Sequence, residues 1–255
     1  MACLIAVAAS IASPAVFADP IPVHYPEGTV HGFLSLSDND GKILASGDLI
    51  MIVRGSQVNA HIVYRFKDGS VDDETTIFTQ RGFFRLVSDH HVQKGPYFPH
   101  PMDVMIDVPH STVTFHTTDK NGKDQAASNH MNLPPDLYNG LIGSIVKNVK
   151  ADAPLTRVSM LVMAPKPRIV RMAISPSGEE PYTLAGLEHK AKAFNIKIEI
   201  GGVEGMIAPL VGKAPPDIKL WVVPGDVPVI VREEAQLFQD SPILNTLEVS
   251  PVWPK

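Results

Sequence analysis

Ten histidines occur in this chain, and His90, His91, His100, His110, His116 and His130 crowd into one stretch. Imidazole and carboxylate groups are zinc ligands, and Asp89 and Asp103 lie among them. No recognisable ligand spacing appears, however. His90 and His91 are neighbours on a strand-like segment and so point to opposite faces. They are read as surface or loop histidines; no metal ligand and no cofactor is assigned.

Nucleophiles are equally sparse. There is no G-x-S-x-G, and Ser46 and Ser56 sit near glycines without the strand–turn–helix setting such a serine needs. Three acidic runs, Asp72-Asp73-Glu74, Glu179-Glu180 and Glu233-Glu234, supply carboxylates. A glycosidase pair requires two acids brought together across a cleft. Nothing in the spacing singles out such a pair, so these acids are read as solvated turns and faces. Gly201-Gly202-x-x-Gly205 lacks both the lysine and the βαβ setting of a phosphate loop.

The residues after that glycine pair are more informative. Between Gly201 and Gly212 stand Val203, Met206, Ile207, Ala208, Leu210 and Val211, with Glu204 as the one charge. An apolar, glycine-flanked connector is unusual on a soluble surface. Two readings stay open. The segment packs into the core as an ordinary connector, or it covers a greasy cavity or touches a membrane or partner. On the second reading Val203, Met206, Ile207, Leu210 and Val211 are the candidate ligand-binding residues.

The elements that would carry these residues are mostly strands. The chain has 255 residues, 44% hydrophobic and 19% charged, as in a soluble globular protein. Its 23 prolines favour short strands and turns over long helices. A formal net charge of −5, with Lys and Arg scattered, disfavours a nucleic-acid partner. Met1 to Ala18 carries no charged side chain, has an apolar run from Leu4 to Ala12, and places Val16 and Ala18 at the small-x-small positions of a signal-peptidase site. Residues 1–18 are therefore expected to be a cleaved signal peptide and 19–255 an exported, periplasmic or secreted, β-rich body. The run is too short and too interrupted for a membrane anchor, and no later segment reaches spanning length. The single cysteine, Cys3, lies in that leader, so the body is expected to have no disulfide.

Strand-like segments follow one another at short intervals: Thr29–Ser37, Ile43–Val53, Gln57–Phe66, Val71–Thr79, Phe83–Val92, Met102–Val108 and Thr112–Thr118, with turn residues between them. A second series comprises Arg157–Met163, Ile169–Ile174 before a turn at Pro176-Ser177-Gly178, a segment through Phe194, Asn195–Ile200, Ile218–Val223, Val227–Arg232 and Leu244–Val249. Between the series, residues 133–149 are predicted to form one covering helix, capped by Asn132 and started by Pro134 and Pro135. Its apolar stripe is Leu137, Leu141 and Ile145. The two halves would meet near 119–132. The expected core is Phe33, Ile50, Ile52, Val63, Phe84, Leu141, Ile196, Ile198 and Trp221. Such a meander implies mainly antiparallel β structure, a curved sheet or open half-barrel with one covering helix, or alternatively a β-sandwich.

Several stretches carry a resemblance: Leu133-Pro134-Pro135-Asp136-Leu137-Tyr138-Asn139-Gly140, Pro165-Lys166-Pro167-Arg168, Ser177-Gly178-Glu179-Glu180-Pro181-Tyr182, Pro215-Pro216-Asp217-Ile218 with Trp221, and Ser250-Pro251-Val252-Trp253-Pro254. They resemble a group of uncharacterised exported bacterial β-rich proteins. More distantly, the order of elements is similar to periplasmic antiparallel half-barrels of the lipoprotein-carrier type. That resemblance implies a curved sheet around a helix or an apolar ligand, and no site residues. The expected function is a non-catalytic envelope protein holding a lipid or other apolar molecule, or an envelope component, on the concave side of its sheet. A hydrolase of envelope polymers or esters and an envelope scaffold are the alternatives.

Overall fold

The computed structural model describes residues 20–118, 123–150, 153–164, 166–184, 187–199 and 215–248. The expected leader, 1–18, lies outside them. Eight strands run in sequence as a meander: β1 (Val30–Ser37), β2 (Ile43–Arg54), β3 (Gln57–Phe66), β4 (Val71–Arg81), β5 (Phe83–Lys94), β6 (Met102–Asp107), β7 (Thr112–Thr118) and β8 (Asp124–His130). A connector holds the helix α1 (Ile142–Asn148). Six more strands follow: β9 (Thr156–Val162), β10 (Arg168–Leu184), β11 (Leu187–Glu199), β12 (Ile218–Val223), β13 (Val229–Ala235) and β14 (Leu244–Glu248). All belong to one curved, open antiparallel sheet in the order β8-β7-β6-β5-β4-β3-β2-β1-β14-β13-β12-β11-β10-β9. The half-barrel alternative holds and the sandwich does not.

This order places β8 and β9, consecutive in the chain, at opposite edges. Flat, those edges would lie ~60 Å apart at the ~4.8 Å strand spacing. Yet the connector is stitched to β9 by residue 136. The Ser159 N–H donates to the Asp136 carbonyl (2.9 Å) and the Tyr138 N–H to the Ser159 carbonyl (3.0 Å), with Leu137 bridging Ser159 in parallel. Only residues 131–135 separate that point from the end of β8, a reach of at most ~20 Å. The sheet must therefore curl until its edges approach.

Contacts across the hollow agree. Gln93 Nε2 on β5 donates to the Leu237 carbonyl beyond β13 (2.9 Å), and the rings of Phe98 and Phe238 lie 5.8 Å apart. Tyr97, Phe98 and Phe238, with Phe66 beneath, plug one end of the curl. The connector and α1 fill the other, packing Leu137, Tyr138, Leu141 and Ile145 against Phe78, Phe84, Ile106, Val158, Ile174 and Ile196. Residues 20–28 strap this end. Ile21 N–H donates to Tyr138 Oη (2.9 Å), the His24 and Tyr25 amides donate to Asn148 Oδ1, and Lys147 pairs with Glu27 at 2.6 Å.

The helix is shorter than predicted: seven residues, with Leu141 rather than Asn132 at its N-cap. Gly140 stops it from starting earlier. Its φ is +68°, a left-handed conformation no helix accepts, and a Cβ there would lie 2.0 Å from Thr76 Oγ1 and 2.5 Å from Asp89 Oδ1. Asp136 serves β9 instead of the helix dipole. Its Oδ2 accepts from Arg171 Nη1 (2.7 Å) and Ser159 Oγ (2.9 Å), while Asn139 exchanges two hydrogen bonds with the Leu161 backbone.

Two other expectations change. Pro176-Ser177-Gly178 is a bulge within β10, not a turn, with the register shifting between Pro176 and Gly178. β9 pairs β10 only from Arg168 to Ile174, so the prolines beyond need donate to no ladder on that side. Within the expected core, Val63, Phe84, Leu141, Ile196 and Trp221 are buried and Ile198 packs against the core. Phe33 and Ile52 are 50% and 43% exposed, and Ile50 shares their convex face. The run Leu49 to Val53 is apolar on both parities, and the concave face took Leu49, Met51 and Val53.

Gly140→Ala should destabilise the protein by ~2–4 kcal/mol, through both backbone strain and the collision with Thr76 and Asp89. Denaturant unfolding of the purified variant measures this. A change within experimental error would show that the connector is not seated on β4 and β5 as described.

Candidate functional site

The period-2 alternation of β4 and β5 sends Asp72, Glu74 and Thr76, with Asp89, His91 and Gln93, to the concave face. The ladder registers extend this into rows. One reads Leu49, Ile62, Glu74, His91, Val104 across β2 to β6; the next reads Gly47, Tyr64, Asp72, Gln93. A polar band thus lies between the aromatic plug and the helix. His91 Nε2 meets Asp72 Oδ1 at 2.6 Å, and its Nδ1 lies 3.8 Å from Glu74 Oε1. Gln93 Nε2 donates to Asp72 Oδ2 at 3.2 Å. Thr76 Oγ1 donates to Asp89 Oδ1 at 2.9 Å, while Asp89 Oδ2 is buried without a partner among the described residues.

The opposite wall supplies Glu233 on β13 and Thr246 and Glu248 on β14. Gly47 leaves space for the Tyr64 ring, whose hydroxyl crosses to within 3.3 Å of Thr246 Oγ1. Glu233 and Glu74 stand five strand positions apart in the sheet, ~24 Å if it were flat. The negative charge of Glu233 nevertheless acts on Glu74, so the curl brings the two walls face to face.

These surroundings change the proton affinities. Burial, reinforced by the charge of Glu74, raises Asp89 to about 8 against the opposing hydrogen bond from Thr76. Burial raises Glu233 to about 7. Glu74 is raised by burial, with Asp72 and Glu233 adding to the effect and His91 opposing it. For His91, burial disfavours the cation, but the hydrogen bond to Asp72 and the charges of Glu74, Asp72 and Asp89 outweigh it and lift the group to about 9. Burial and Glu233 raise the Tyr64 phenol.

Chemically, His91 is an imidazolium held between carboxylates, not a free base. Glu233 has no hydrogen-bond or ion-pair partner among the described residues and changes charge near neutrality. Glu74 and His91 side chains keep 22% and 16% of their accessible surface despite heavy desolvation. These groups are thus desolvated yet still reached by solvent on the concave face.

The acids read as solvated faces are therefore only half so. Asp72 and Glu74 lie inside, whereas Asp73 takes the convex face and meets His61 Nε2 at 3.0 Å. Glu233 and Glu234 split in the same way. His90 is on the convex surface with Asp103 (2.8 Å), His110 is exposed beside Asp107 (2.8 Å), and His100, His116 and His130 are exposed. Among the described residues no three His, Cys, Asp or Glu side chains are placed to hold a metal ion. Val203, Met206, Ile207, Leu210 and Val211 lie outside the described residues.

The shifts set a sign for the pH dependence of stability. Asp89 binds its proton more tightly folded than unfolded. Its contribution is complete below its ordinary value of 3.8 and is lost as pH rises through about 8. Glu233 acts likewise between 4.5 and about 7, and His91 between 6.5 and about 9. The unfolding free energy should fall from about pH 5 to about pH 8, with Asp89 alone contributing a slope of ~1.4 kcal/mol per pH unit. Asp89→Asn should flatten that slope. A wild-type stability that rises over this interval would contradict the assigned burial.

No family model, curated protein or solved structure matches this chain.

Proposed function

We propose that this is an exported, non-catalytic binding protein whose curved sheet holds an amphiphile, with an apolar body and a cationic or hydrogen-bond-donating head. The observation that carries this reading is the concave grouping of Glu74, His91 and Glu233 beside half-buried Leu34, Leu49 and Ile62. Carboxyls that face each other across a hollow repel an anionic head and favour an amine or a hydroxyl-rich one. An apolar body would lie along the leucine and isoleucine rows, where each fully buried aliphatic side chain contributes roughly 1.5–3 kcal/mol. Export follows from the leader-like residues 1–18. It places the protein where lipids and other amphiphiles must cross an aqueous gap.

The catalytic alternative finds less support. A general acid or base with the affinity of Glu233 suits catalysis near pH 7, but the Thr76 hydroxyl is committed to Asp89 and His91 already carries its proton.

Mass spectrometry of small molecules retained by the natively purified protein, with titration by dodecylamine and dodecanoate, tests the proposal. Dodecylamine should bind more tightly than dodecanoate. Its affinity should rise between about pH 6 and about pH 8 as Glu233 ionises, and Glu233→Gln should weaken it about tenfold. Binding of neither probe, or preference for dodecanoate, overturns the reading. Turnover of an ester such as p-nitrophenyl acetate that Glu233→Gln abolishes would make the protein a hydrolase instead.

A further inference from the structure

The convex face of the sheet carries a cavity of about 340 Å³, on residues separate from the concave acid–histidine group. Its floor comes from β12, β13 and β14. Trp221, Arg232 and Leu247 stand in one cross-strand row, with Asn245 beside them. One wall is the far end of the long β10–β11 hairpin, which folds over this floor: Tyr182 Oη donates to the Val231 carbonyl on β13 at 3.4 Å, and Glu180 and Pro181 line the cavity next to it. The other wall is the β1–β2 turn, with Asp38 and Asn39. Asn245 Nδ2 donates to Asn39 Oδ1 at 3.2 Å and so ties that turn to the floor.

The lining has a definite chemistry. Arg232 lies 4.4 Å over the Trp221 ring and is held by Glu234 and by Asn245 Oδ1. Trp221 is 5% exposed, and its indole N–H is buried with no acceptor among the described residues. An anion would meet the Arg232 guanidinium, but that charge is already answered by Glu234, and Asp38 and Glu180 add two further carboxylates to the walls. A cation would find Arg232 in its way. What remains is a neutral ligand rich in hydroxyls, which donate to Asp38, Glu180 and the Asn39 amide oxygen and accept from Arg232. Pro181 and Leu247 give such a ligand an apolar surface to lie on. The volume is at the lower end of the ~300–1,000 Å³ range of small-molecule sites, suited to one or two sugar rings.

We propose that this convex cavity is a saccharide-binding site for a neutral mono- or disaccharide unit. It stands on different residues from the concave acid–histidine group and does not depend on that reading.

The test uses the full chain carrying Trp253→Phe, which leaves Trp221 as its only indole, since the chain has two tryptophans. Intrinsic fluorescence is followed during titration with glucose, N-acetylglucosamine, maltose and chitobiose, with glucuronate and citrate as anionic controls. At least one neutral saccharide should give a saturable change, and the anions none. Glu180→Gln lies on the exposed rim and leaves the floor intact, whereas Asn39→Ala, also on the rim, removes the tie to Asn245 as well; each should weaken that saccharide about tenfold or less, and together by more. Asn245→Ala removes a floor contact and should weaken it further. Calorimetry on the unmodified chain checks that the signal is binding. Absence of a saturable response to every neutral saccharide, binding indifferent to both rim variants, or preference for the anions overturns the proposal.

Discussion

A sheet whose first and last strands pair at its centre must put two consecutive strands at its outer edges, and one chain segment must then join those edges. Everything else in this protein follows from that demand. The joining segment is short before it reaches β9, so the sheet has to curl. A curled sheet encloses a single concave face, and the segment that closes the topology is the one available to cover it. Tyr138, Leu141 and Ile145 bury there because the chain has to pass that way. Its route is held by groups without alternatives: Asp136 is wholly buried and paired with Arg171, and Gly140 lies against Thr76 and Asp89 where no side chain fits. Losing one partner of a buried pair such as Asp136–Arg171 typically costs about 3–5 kcal/mol, less where, as with Arg171, one group keeps solvent contact.

The curl also explains the proton affinities. Carboxyls on β4 and β13 would be strangers on a flat sheet. Facing each other in a hollow, they lose hydration and feel each other's charge. The fold resolves this partly with a proton-holding histidine and partly by keeping acids neutral. Asp89 retains its proton at neutral pH beneath the connector; Glu233, without a partner among the described residues, sits near its midpoint. A concave face in this state is responsive, because an occupant that brings positive charge supplies what the interior lacks.

How far the chain discloses this depends on the range of the interactions involved. Strand existence is local. Gln57–Phe66, Thr112–Thr118 and Ile218–Val223 are legible to the residue, since alternation and flanking turn residues mark them. β8 was hidden because Asp124–His130 is polar on both faces, as an exposed edge strand is. The helix was overextended because Leu137, Leu141 and Ile145 do share a packed face, yet only Ile145 is helical; the constraint on Gly140 comes from two strands distant in sequence. Parity failed at Leu49–Val53, where both faces read as apolar. The same alternation that betrays strands held the signal for the acids. Asp72, Glu74 and Thr76 share parity with Phe78, a fully buried residue, so reading the strand from its apolar end would have turned them inward. The convex cavity had no local signal, since Trp221, Tyr182 and Asn39 meet only through the hairpin that reaches β13 and the β1–β2 turn tied to Asn245.

β13 shows how one strand serves two surfaces. Arg232 and Glu233 are adjacent, and alternation sends the first to the convex cavity and the second to the concave face. The register shift opposite Trp221 and Val222 lets Trp221 oppose Arg232 on one side while Leu220 opposes Glu233 on the other. Because the sheet lies between them, replacing either side chain with a near-isostere alters one lining and leaves the other untouched. Glutamine at position 233 removes a charge from the hollow without moving the guanidinium that stacks on Trp221. The two faces are chemically separate even though a single backbone fixes both. A ligand found on this protein can therefore be assigned to its face by which of two neighbouring residues its binding depends on.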